Sequence, residues 1–344
     1  MKLNIQAIDH PLAKRSDIKL AMARLDNFQP LASGNKFFKL QANFNFAHKN
    51  GIHQLISFGG AFSNHIHALA LFGQQSGFKT LGIIRGEPEN ADTYSQNPTL
   101  LDAQKAGMEL HFVNRKEYRL RHDYSYLKKL QQQYPKGLII PEGGSNQFAV
   151  SGCADITRKI NQISQDDIIT VACGTGATLA GIACGLNDKQ QAIGYSVLHD
   201  ESMTQRIRVF IRENNVSLDD LGNNISNVSD NPDAFNCDLN CDLDKDKDNW
   251  VVERADFGGY AKVDKDLLSF IFDWLAQTGI LLDPIYTSKM CMRLMQQIEA
   301  GVFAPETSIC MVHSGGLQGW RGMENKVIQL VGRSQWNRVE DHLS

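Results

Sequence analysis

A lysine at a predicted helix entrance is the first feature of this sequence that could carry chemistry. Lys36 follows Ser-Gly-Asn in the stretch "SGNKFFKL" and stands just before an apolar helical pattern. A lysine in this place is either an ordinary surface residue or a reactive amine. A reactive lysine needs neighbours that bind a carbonyl-containing partner, so the rest of the chain must supply them.

The stretch "ACGTGATLAGIACGL" offers a site for an anion. Its small residues, Gly174 to Thr178, follow an apolar strand and open a helix. Glycines let backbone N–H groups approach an anion, and a helix N-terminus favours negative charge. The stretch lacks the Gly-Lys-Ser/Thr of a P-loop and the glycine spacing of a dinucleotide fingerprint. The pattern therefore favours a phosphate, with an ordinary tight turn as the alternative.

Three further turns carry polar groups. Ser63 and Asn64 open a helix after a double glycine, where they could bind a carboxylate or simply cap the helix. Tyr286 and Thr287 follow the Asp-Pro turn of "LLDPIYTSKM", and Ser314 follows the apolar run of "CMVHSGG". The alternative for each is packing. His65 and His67 lack the i, i+4 spacing of helical metal ligands, and we expect them to be packing or supporting residues.

Taken together these groups match what one cofactor requires. Pyridoxal phosphate needs a lysine for its Schiff base, a phosphate cradle, and partners for its phenolic oxygen and ring nitrogen.

The elements that would position these residues alternate between apolar runs and helical patterns. "LISF", "DIITVA" and "SICMV" are continuous apolar runs, and helix-period stretches follow them. This alternation predicts βα units and a mainly parallel sheet with both faces covered. Ligands in such folds bind where strands end and helices begin, which is where the glycine-rich turns lie.

Composition excludes several classes of partner. The 344 residues are 42% hydrophobic and 21% charged, with a net charge of -3, and they suffice for one large or two medium domains. This charge gives no reason to expect nucleic acid or an anionic membrane as a partner. The seven cysteines have no regular spacing and the N-terminus has no apolar signal region. We therefore predict a cytoplasmic protein with reduced thiols.

An acidic stretch, residues 229–249, interrupts the pattern and predicts a solvent-exposed insertion loop. Asp242, Asp244, Asp246 and Glu253 have calcium-loop spacing, but Lys247 occupies the position that requires glycine. Cys237 and Cys241 lack a second Cys/His pair nearby. We expect no metal.

Seven motifs in order give the chain a family resemblance. They are "SGNKFFKL", "SFGGAFSNH", "IIPEGGSN", "GTGAT", "FGGYAK", "LDPIYTSKM" and "HSGGLQG". With them the chain resembles the fold-type II pyridoxal-phosphate enzymes of the aminocyclopropane-carboxylate deaminase / D-cysteine desulfhydrase family. The resemblance implies a tryptophan synthase β-like α/β fold with two three-layer α/β/α domains and mainly parallel sheets.

The resemblance also implies roles for the cofactor-binding residues. Lys36 would form the Schiff base, Lys39 would help to bind the phosphate, and Asn64 would bond the phenolic oxygen. Thr287 and Ser314 would be hydroxyl partners of the cofactor's ring nitrogen. The phosphate-binding residues would be Gly174, Thr175, Gly176, Ala177 and Thr178.

Catalytic roles are implied for three further residues. Ser63 would hold the substrate carboxylate, or act as the nucleophile in the deaminase branch. Tyr286 would lie against the pyridine ring and touch the substrate, with Tyr260 nearby.

Departures from the family pattern bear on the substrate. Where the deaminases carry glutamate and leucine, this chain has Thr287 and Ser314. A hydroxyl does not keep the ring nitrogen protonated, which suffices for β-elimination but not for opening a cyclopropane. Phe62 and Phe38 replace the family's frequent Gln and Arg, and Phe37 and Phe38 mark where "SGNKFFKL" departs from its relatives. These phenylalanines leave the substrate open.

The predicted function is β-elimination from D-cysteine or a related small D-amino acid, which yields pyruvate, ammonia and sulfide. The first alternative is 1-aminocyclopropane-1-carboxylate deaminase, which yields 2-oxobutyrate and ammonia. The second is a non-catalytic protein that binds phosphate or a nucleotide. The resemblance further implies a homodimer, a large domain of residues 1–45 and 156–344, and a small domain of residues 46–155 with the cofactor in the cleft between them.

Overall fold

Strands and helices alternate along the chain, as the sequence predicts. A computed structural model describes residues 2–29, 34–91, 97–214 and 249–343. The strands in these residues are β1 (Ile5–Ile8), β2 (Lys19–Arg24), β3 (Gln54–Gly60), β4 (Lys79–Arg85), β5 (Glu109–Val113), β6 (Gly137–Ile140), β7 (Ile168–Cys173), β8 (Gln191–Ser196), β9 (Trp250–Arg254) and β10 (Ser308–His313). The α-helices are α1 (Pro11–Arg15), α2 (Asn35–Lys49), α3 (Asn64–Gln75), α4 (Pro98–Lys105), α5 (Arg115–Tyr118), α6 (Tyr124–Gln133), α7 (Gln147–Asn161), α8 (Ala177–Gly185), α9 (Met203–Asn214), α10 (Lys265–Thr278), α11 (Thr287–Glu299), α12 (Glu324–Val331) and α13 (Arg333–Leu343).

Among the described residues, the larger sheet has six strands in the order β1-β2-β10-β7-β8-β9. Only β1 runs antiparallel to its neighbour; the other pairings are parallel. All six residues of β7 are buried, which is expected of a parallel strand that is covered on both faces. Residues of α7, α8 and α9 pack on one face, and residues of α1, α10 and α11 pack on the other.

The smaller sheet has four parallel strands in the order β5-β4-β3-β6. Helices α2, α3 and α4 contribute to the apolar cluster on one face. Tyr118 and Leu130, from α5 and α6, contribute to the cluster on the other. Each sheet is therefore the middle of three layers, and the predicted α/β architecture is confirmed.

The carboxyl ends of three strands lead directly into the glycine-rich turns. Strand β3 precedes the Ser63 turn, β7 precedes the Gly174 loop, and β10 precedes the Ser314 turn. Gly176 and Gly316 have φ angles of 92° and 90°, a left-handed conformation that glycine adopts without the clash a Cβ would cause. These glycines let the chain turn sharply from strand to helix.

The boundaries of the small domain, residues 46–155, remain a prediction. All four strands of the smaller sheet lie between residues 54 and 140. Helices α2 and α7 extend across the predicted limits at residues 45 and 155 and pack against each other. Most of the predicted acidic loop, with Asp242, Asp244 and Asp246, lies outside the described residues, whereas Glu253 belongs to β9.

The described residues contain neither a membrane-spanning helix nor a cluster of metal-ligating side chains. None of the helices in the described ranges combines the length and apolar character needed to cross a bilayer. Within the same ranges, no cluster of three or more His, Cys, Asp or Glu side chains could hold a metal ion.

Candidate active site

Lys36 is the second residue of α2, and its amine has an unusual environment. Its Nζ donates a hydrogen bond to Asn35 Oδ1 at 3.1 Å. Burial, followed by the positive charge of Lys39, lowers the pKa of Lys36 from its ordinary 10.5 to about 7. Because desolvation disfavours the charged form, a large fraction of this amine is neutral at neutral pH. A neutral amine is what a nucleophile or a general base requires.

Lys39 lies one turn further along α2 in a cluster of hydroxyl groups. Its side chain is buried, and its Nζ donates to Ser145 Oγ at 3.1 Å, to Thr175 Oγ1 at 3.3 Å and to the Gly143 carbonyl at 3.3 Å. The hydroxyls of Ser145 and Thr175 are 2.5 Å apart. An ammonium with two hydroxyls is a suitable environment for a phosphate.

The predicted anion loop lies between the Lys36 helix and Tyr286. Thr178 Oγ1 accepts a hydrogen bond from Asn35 Nδ2 at 2.8 Å. A Cβ added at Gly174 would lie 3.1 Å from Tyr286 Cε1, so the ring packs closely on the loop backbone. Ala177 is the first residue of α8, whose first-turn N–H groups have no partner within the helix. These N–H groups can bind an anion.

Ser63 and Asn64 begin α3. Ser63 Oγ accepts a hydrogen bond from Ile66 N at 3.3 Å, so the helix cap that the sequence allowed is present. Asn64 Oδ1 accepts from Gln318 Nε2 at 2.9 Å. A Cβ at Gly316 would lie 2.7 Å from Asn64 Nδ2. The side chain of Asn64 therefore spans from the smaller sheet to the turn after β10.

Tyr260 and Tyr286 form a pair. Their hydroxyl oxygens are 3.1 Å apart, and their rings meet edge to face with centroids 6.0 Å apart. Burial, with a contribution from Tyr260, raises the pKa of Tyr286 well above its ordinary value. Tyr260 is 52% exposed. Tyr286 therefore keeps its proton, while its partner contacts solvent.

Thr287 has a buried hydroxyl without a partner. The residue is fully buried, and its Oγ1 makes no hydrogen bond to any of the described residues. Leaving a buried hydroxyl unpaired costs about 1–3 kcal/mol. Its backbone N–H is paired, since it donates to Asp283 Oδ2 at 2.8 Å. The free hydroxyl is therefore available to a ligand.

Ser314 connects the last strand to Lys36. Its carbonyl accepts a hydrogen bond from Asn35 N at 3.1 Å. Asn35, the neighbour of Lys36, thus contacts both Ser314 and Thr178. Lys39 contacts Thr175, and Gly174 packs against Tyr286. Asn64, Gly174 and Ser314 lie in the turns that follow the carboxyl ends of β3, β7 and β10.

The phenylalanines that depart from the family pattern, Phe37, Phe38 and Phe62, differ in how deeply they are buried. Phe38 is 3% exposed and stacks on Phe28 with ring centroids 5.2 Å apart, so its replacement of the family's Arg concerns core packing. Phe37 also packs against aromatic neighbours, including Phe72 at 5.7 Å. Both rings therefore take part in packing, and the bearing of these departures on the substrate stays a prediction. Phe62 is 55% exposed beside the Ser63 turn.

Sequence reasoning missed several residues of the site. Ser145 follows the Gly143–Gly144 turn, which was recognisable, but its partnership with Lys39 spans more than a hundred residues. His65 Nε2 lies 2.7 Å from Ser57 Oγ, and Ser57 Oγ donates to the Ile140 carbonyl at 2.7 Å. His65 must therefore donate from Nε2, which leaves its buried Nδ1 as an acceptor without a partner among the described residues.

Comparison with known proteins decides the family. A family model described as "Pyridoxal-phosphate dependent enzyme" matches residues 10–315. The chain belongs to this family.

Two relatives of this pyridoxal-phosphate-dependent enzyme have named activities. The bifunctional D-cysteine desulfhydrase/1-aminocyclopropane-1-carboxylate deaminase of Arabidopsis thaliana is 26% identical over 90% of this chain and 74% of that protein. The D-cysteine desulfhydrase of Yersinia enterocolitica is 25% identical over 85% of this chain and 84% of that protein. A crystal structure of an ACC deaminase homologue matches with a TM-score of 0.77 and 23% identity over 96% of this chain and 94% of the other. The last likeness confirms the fold-type II architecture.

The residues present fit pyridoxal phosphate. The group needs an amine, a phosphate cradle and a partner for its ring nitrogen. Lys36 supplies an amine that is about half neutral at neutral pH, the Lys39 cluster and the start of α8 supply anion ligands, and Thr287 supplies an unpaired buried hydroxyl. The family match favours this enzyme over a non-catalytic protein that binds a nucleotide.

Proposed function

We propose that this enzyme eliminates sulfide from D-cysteine or a related small D-amino acid. One observation carries the choice of branch: Thr287 Oγ1, a neutral hydroxyl at the start of α11, is buried and makes no hydrogen bond to the described residues, as is also true of the neighbouring Ser288 Oγ. A hydroxyl cannot hold the cofactor's ring nitrogen in its protonated form as a carboxylate does. Elimination of a good leaving group tolerates this weaker electron withdrawal, and opening of a cyclopropane does not.

Pyridoxal phosphate, when bound, supplies the electron withdrawal that makes the α-proton of an amino acid acidic. Lys36 would hold the cofactor through its amine and then take up the α-proton at Nζ, for which its lowered pKa suits it. Lys39, Ser145 and Thr175, with the backbone of the Gly174 loop, would hold the phosphate. The Asn64 amide would bond the phenolic oxygen, and Ser314 would bound the ring from the end of β10.

The substrate itself would be held by the remaining residues. Ser63 and the N–H groups at the start of α3 would bind its carboxylate. Tyr286, which keeps its proton because burial raises its pKa, would donate that proton to the departing sulfur. Tyr260 could then return a proton from solvent through the 3.1 Å hydroxyl contact. The overall change is D-cysteine plus water to pyruvate, ammonia and hydrogen sulfide.

The cofactor role of Lys36 is tested by Lys36→Ala. The purified enzyme should absorb in the visible range of a lysine-bound pyridoxal phosphate, and Lys36→Ala should lose this band and the activity. Lys49→Ala, at the exposed end of the same helix, is the matched control and should keep both. A band that persists in Lys36→Ala would contradict the assignment.

The branch is tested by a pair of substrates. Pyruvate and sulfide should form from D-cysteine, with no 2-oxobutyrate from 1-aminocyclopropane-1-carboxylate. The reverse result would overturn the desulfhydrase proposal. The deaminase remains the second candidate, because the relative from Arabidopsis is named for both activities.

We also propose a homodimer in the cytoplasm. The acid–base groups that the proposed reaction uses all come from one chain, so dimerisation would serve stability rather than chemistry. The domain limits at residues 45 and 155, with the cofactor in the cleft, belong to the same proposal.

A further inference from the structure

Lys289 is a second buried lysine that the proposed reaction does not use. Its side chain is 0% exposed. Its Nζ donates to the carbonyl oxygens of Asp256 and Gly259, both at 2.7 Å. Within the described part of the chain it forms no ion pair with a carboxylate; the carboxylate of Asp256 is paired with Arg254 instead. An ammonium held by backbone carbonyls resembles the way proteins bind a bare monovalent cation.

The carbonyls belong to a loop that needs external support. This loop, residues 255–262, follows β9 and contains two non-glycine residues in the left-handed region, Phe257 with φ 43° and Ala261 with φ 55°. Such residues cost of order 1–2 kcal/mol each unless their surroundings fix them. The loop is closed by its own backbone hydrogen bonds, from Gly259 N to the Asp256 carbonyl and from Lys262 N to the Gly259 carbonyl. Lys289 donates to the same two carbonyl oxygens.

The same loop carries Tyr260, and Lys289 stands three residues after Tyr286. Tyr286 lies immediately before α11, and the first turn of α11 carries Lys289, whose ammonium binds the loop that contains Tyr260. Without the ammonium, the carbonyls of Asp256 and Gly259 would each lose a charge-assisted hydrogen bond that joins the loop to α11. The 3.1 Å contact between the two tyrosine hydroxyls joins the same loop to the residue before α11.

We infer that the Lys289 ammonium is a built-in monovalent cation, which occupies a carbonyl-lined site and fixes Tyr260 against Tyr286. Lys289 is thus a positioning residue, and its effect on turnover rests on the proposed role of the tyrosine pair. The cation site itself does not depend on that role. A chain that lacked this lysine would bind K⁺ or NH4⁺ at the same carbonyls.

The experiment removes the ammonium and returns a free cation. In Lys289→Ala, kcat should fall roughly tenfold with KM changed much less, because a proton donor is misplaced while substrate binding persists. Addition of NH4⁺ or K⁺ should restore part of kcat and raise the Tm in a saturable way. Choline at the same ionic strength should do neither. Lys262 is an exposed lysine of the same loop, and Lys262→Ala is the control. The kcat and Tm of this variant and of wild type should be the same in NH4⁺, K⁺ and choline.

A second variant separates charge from packing. Lys289→Met fills most of the volume but carries no charge, so it should lose activity like Lys289→Ala and should not respond to NH4⁺. If Lys289→Ala folds poorly, its yield of folded protein in NH4⁺ against choline gives the same comparison. Equal recovery in choline, or full kcat and Tm in Lys289→Met, would overturn the inference. The Tm response needs no turnover, so it remains decisive even if D-cysteine is not a substrate.

Discussion

At the residue scale, three lysines of this chain have different surroundings and therefore different chemistry. The amine of Lys36 contacts one amide oxygen and is close to another positive charge. That of Lys39 contacts two hydroxyls, and that of Lys289 contacts two carbonyls. Burial lowers the pKa of all three amines, and that of Lys36 falls to about 7. Because Lys36 also donates to a single acceptor, its environment favours a reactive amine.

The lowered pKa of Lys36 predicts its labelling behaviour. In cofactor-free enzyme the neutral fraction rises as pH rises through about 7, so a small amine-reactive reagent should modify Lys36 with a midpoint near that pH. Exposed lysines should show midpoints above about 10. Mass spectrometry of peptides across a pH series measures both in one sample. A midpoint above about 9 for Lys36 would contradict the described environment.

The unpaired hydroxyl of Thr287 predicts opposite effects on stability and on cofactor binding. Thr287→Val keeps the shape and removes the buried hydroxyl, so cofactor-free enzyme should be as stable or up to about 1–3 kcal/mol more stable. Cofactor affinity should fall by about tenfold, since one hydrogen bond is lost. Urea unfolding without cofactor and fluorescence titration with it measure the two. Lower stability in the cofactor-free state would show that the hydroxyl already has a partner.

At the element scale, α11 is positioned by its start. Asp283 is 1% exposed, and its carboxylate accepts hydrogen bonds from Ile285 N at 3.1 Å, Tyr286 N at 2.7 Å and Thr287 N at 2.8 Å. The three donors would otherwise be unsatisfied at the helix start. This single side chain therefore sets the direction in which Tyr286 and Thr287 leave the turn.

Removal of this cap predicts a large, local loss. Asp283→Ala leaves three buried N–H groups unpaired and should lower the free energy of unfolding by about 2–3 kcal/mol. Asp264→Ala is the matched control, because Asp264 caps α10 through one bond, to Leu267 N at 2.9 Å. Asp264→Ala should lower the free energy of unfolding by about 1 kcal/mol and leave cofactor affinity unchanged. Equal losses of stability and affinity in both variants would refute a special role for the Asp283 turn.

At the scale of the whole molecule, a cluster of charged side chains connects helices α3 and α4, which pack on the smaller sheet, to the turn that follows β10 of the larger sheet. The Asp102 carboxylate in α4 binds the Arg321 guanidinium in the turn after β10, and it lies 3.2 Å from His67 Nε2 in α3. The Asn64–Gln318 hydrogen bond connects the same two regions. These contacts close one side of the candidate active site.

The exposure of this group limits what it contributes. Arg321 is 44% exposed, so Arg321→Gln should lower the free energy of unfolding by less than about 1 kcal/mol, and added salt should reduce the difference. It should nevertheless speed hydrogen exchange in α4 and in residues 317–322. The control is Arg333→Gln, which breaks the Arg333–Glu324 pair between α12 and α13. Faster exchange in α4 of the control would argue against a specific junction.

The fold followed from the sequence because its signals are local. Apolar runs such as Ile168–Cys173 indicate buried parallel strands, and the glycine-rich turns after them indicate where ligands bind. Lys36, the Gly174 loop and Thr287 could be selected because the motifs that contain them resemble, in order, those of a known family.

Only the tertiary structure decided how these residues act together, since pairing across more than a hundred residues has no local signal. It gave Lys39 its partners Ser145 and Thr175, left Thr287 Oγ1 without one, and sent Phe38 into the core while Phe62 stayed exposed. The sequence by itself thus determined the fold and the chemical groups. Burial, which depends on the packing of both sheets, determined their pKa values and their free hydrogen-bonding capacity.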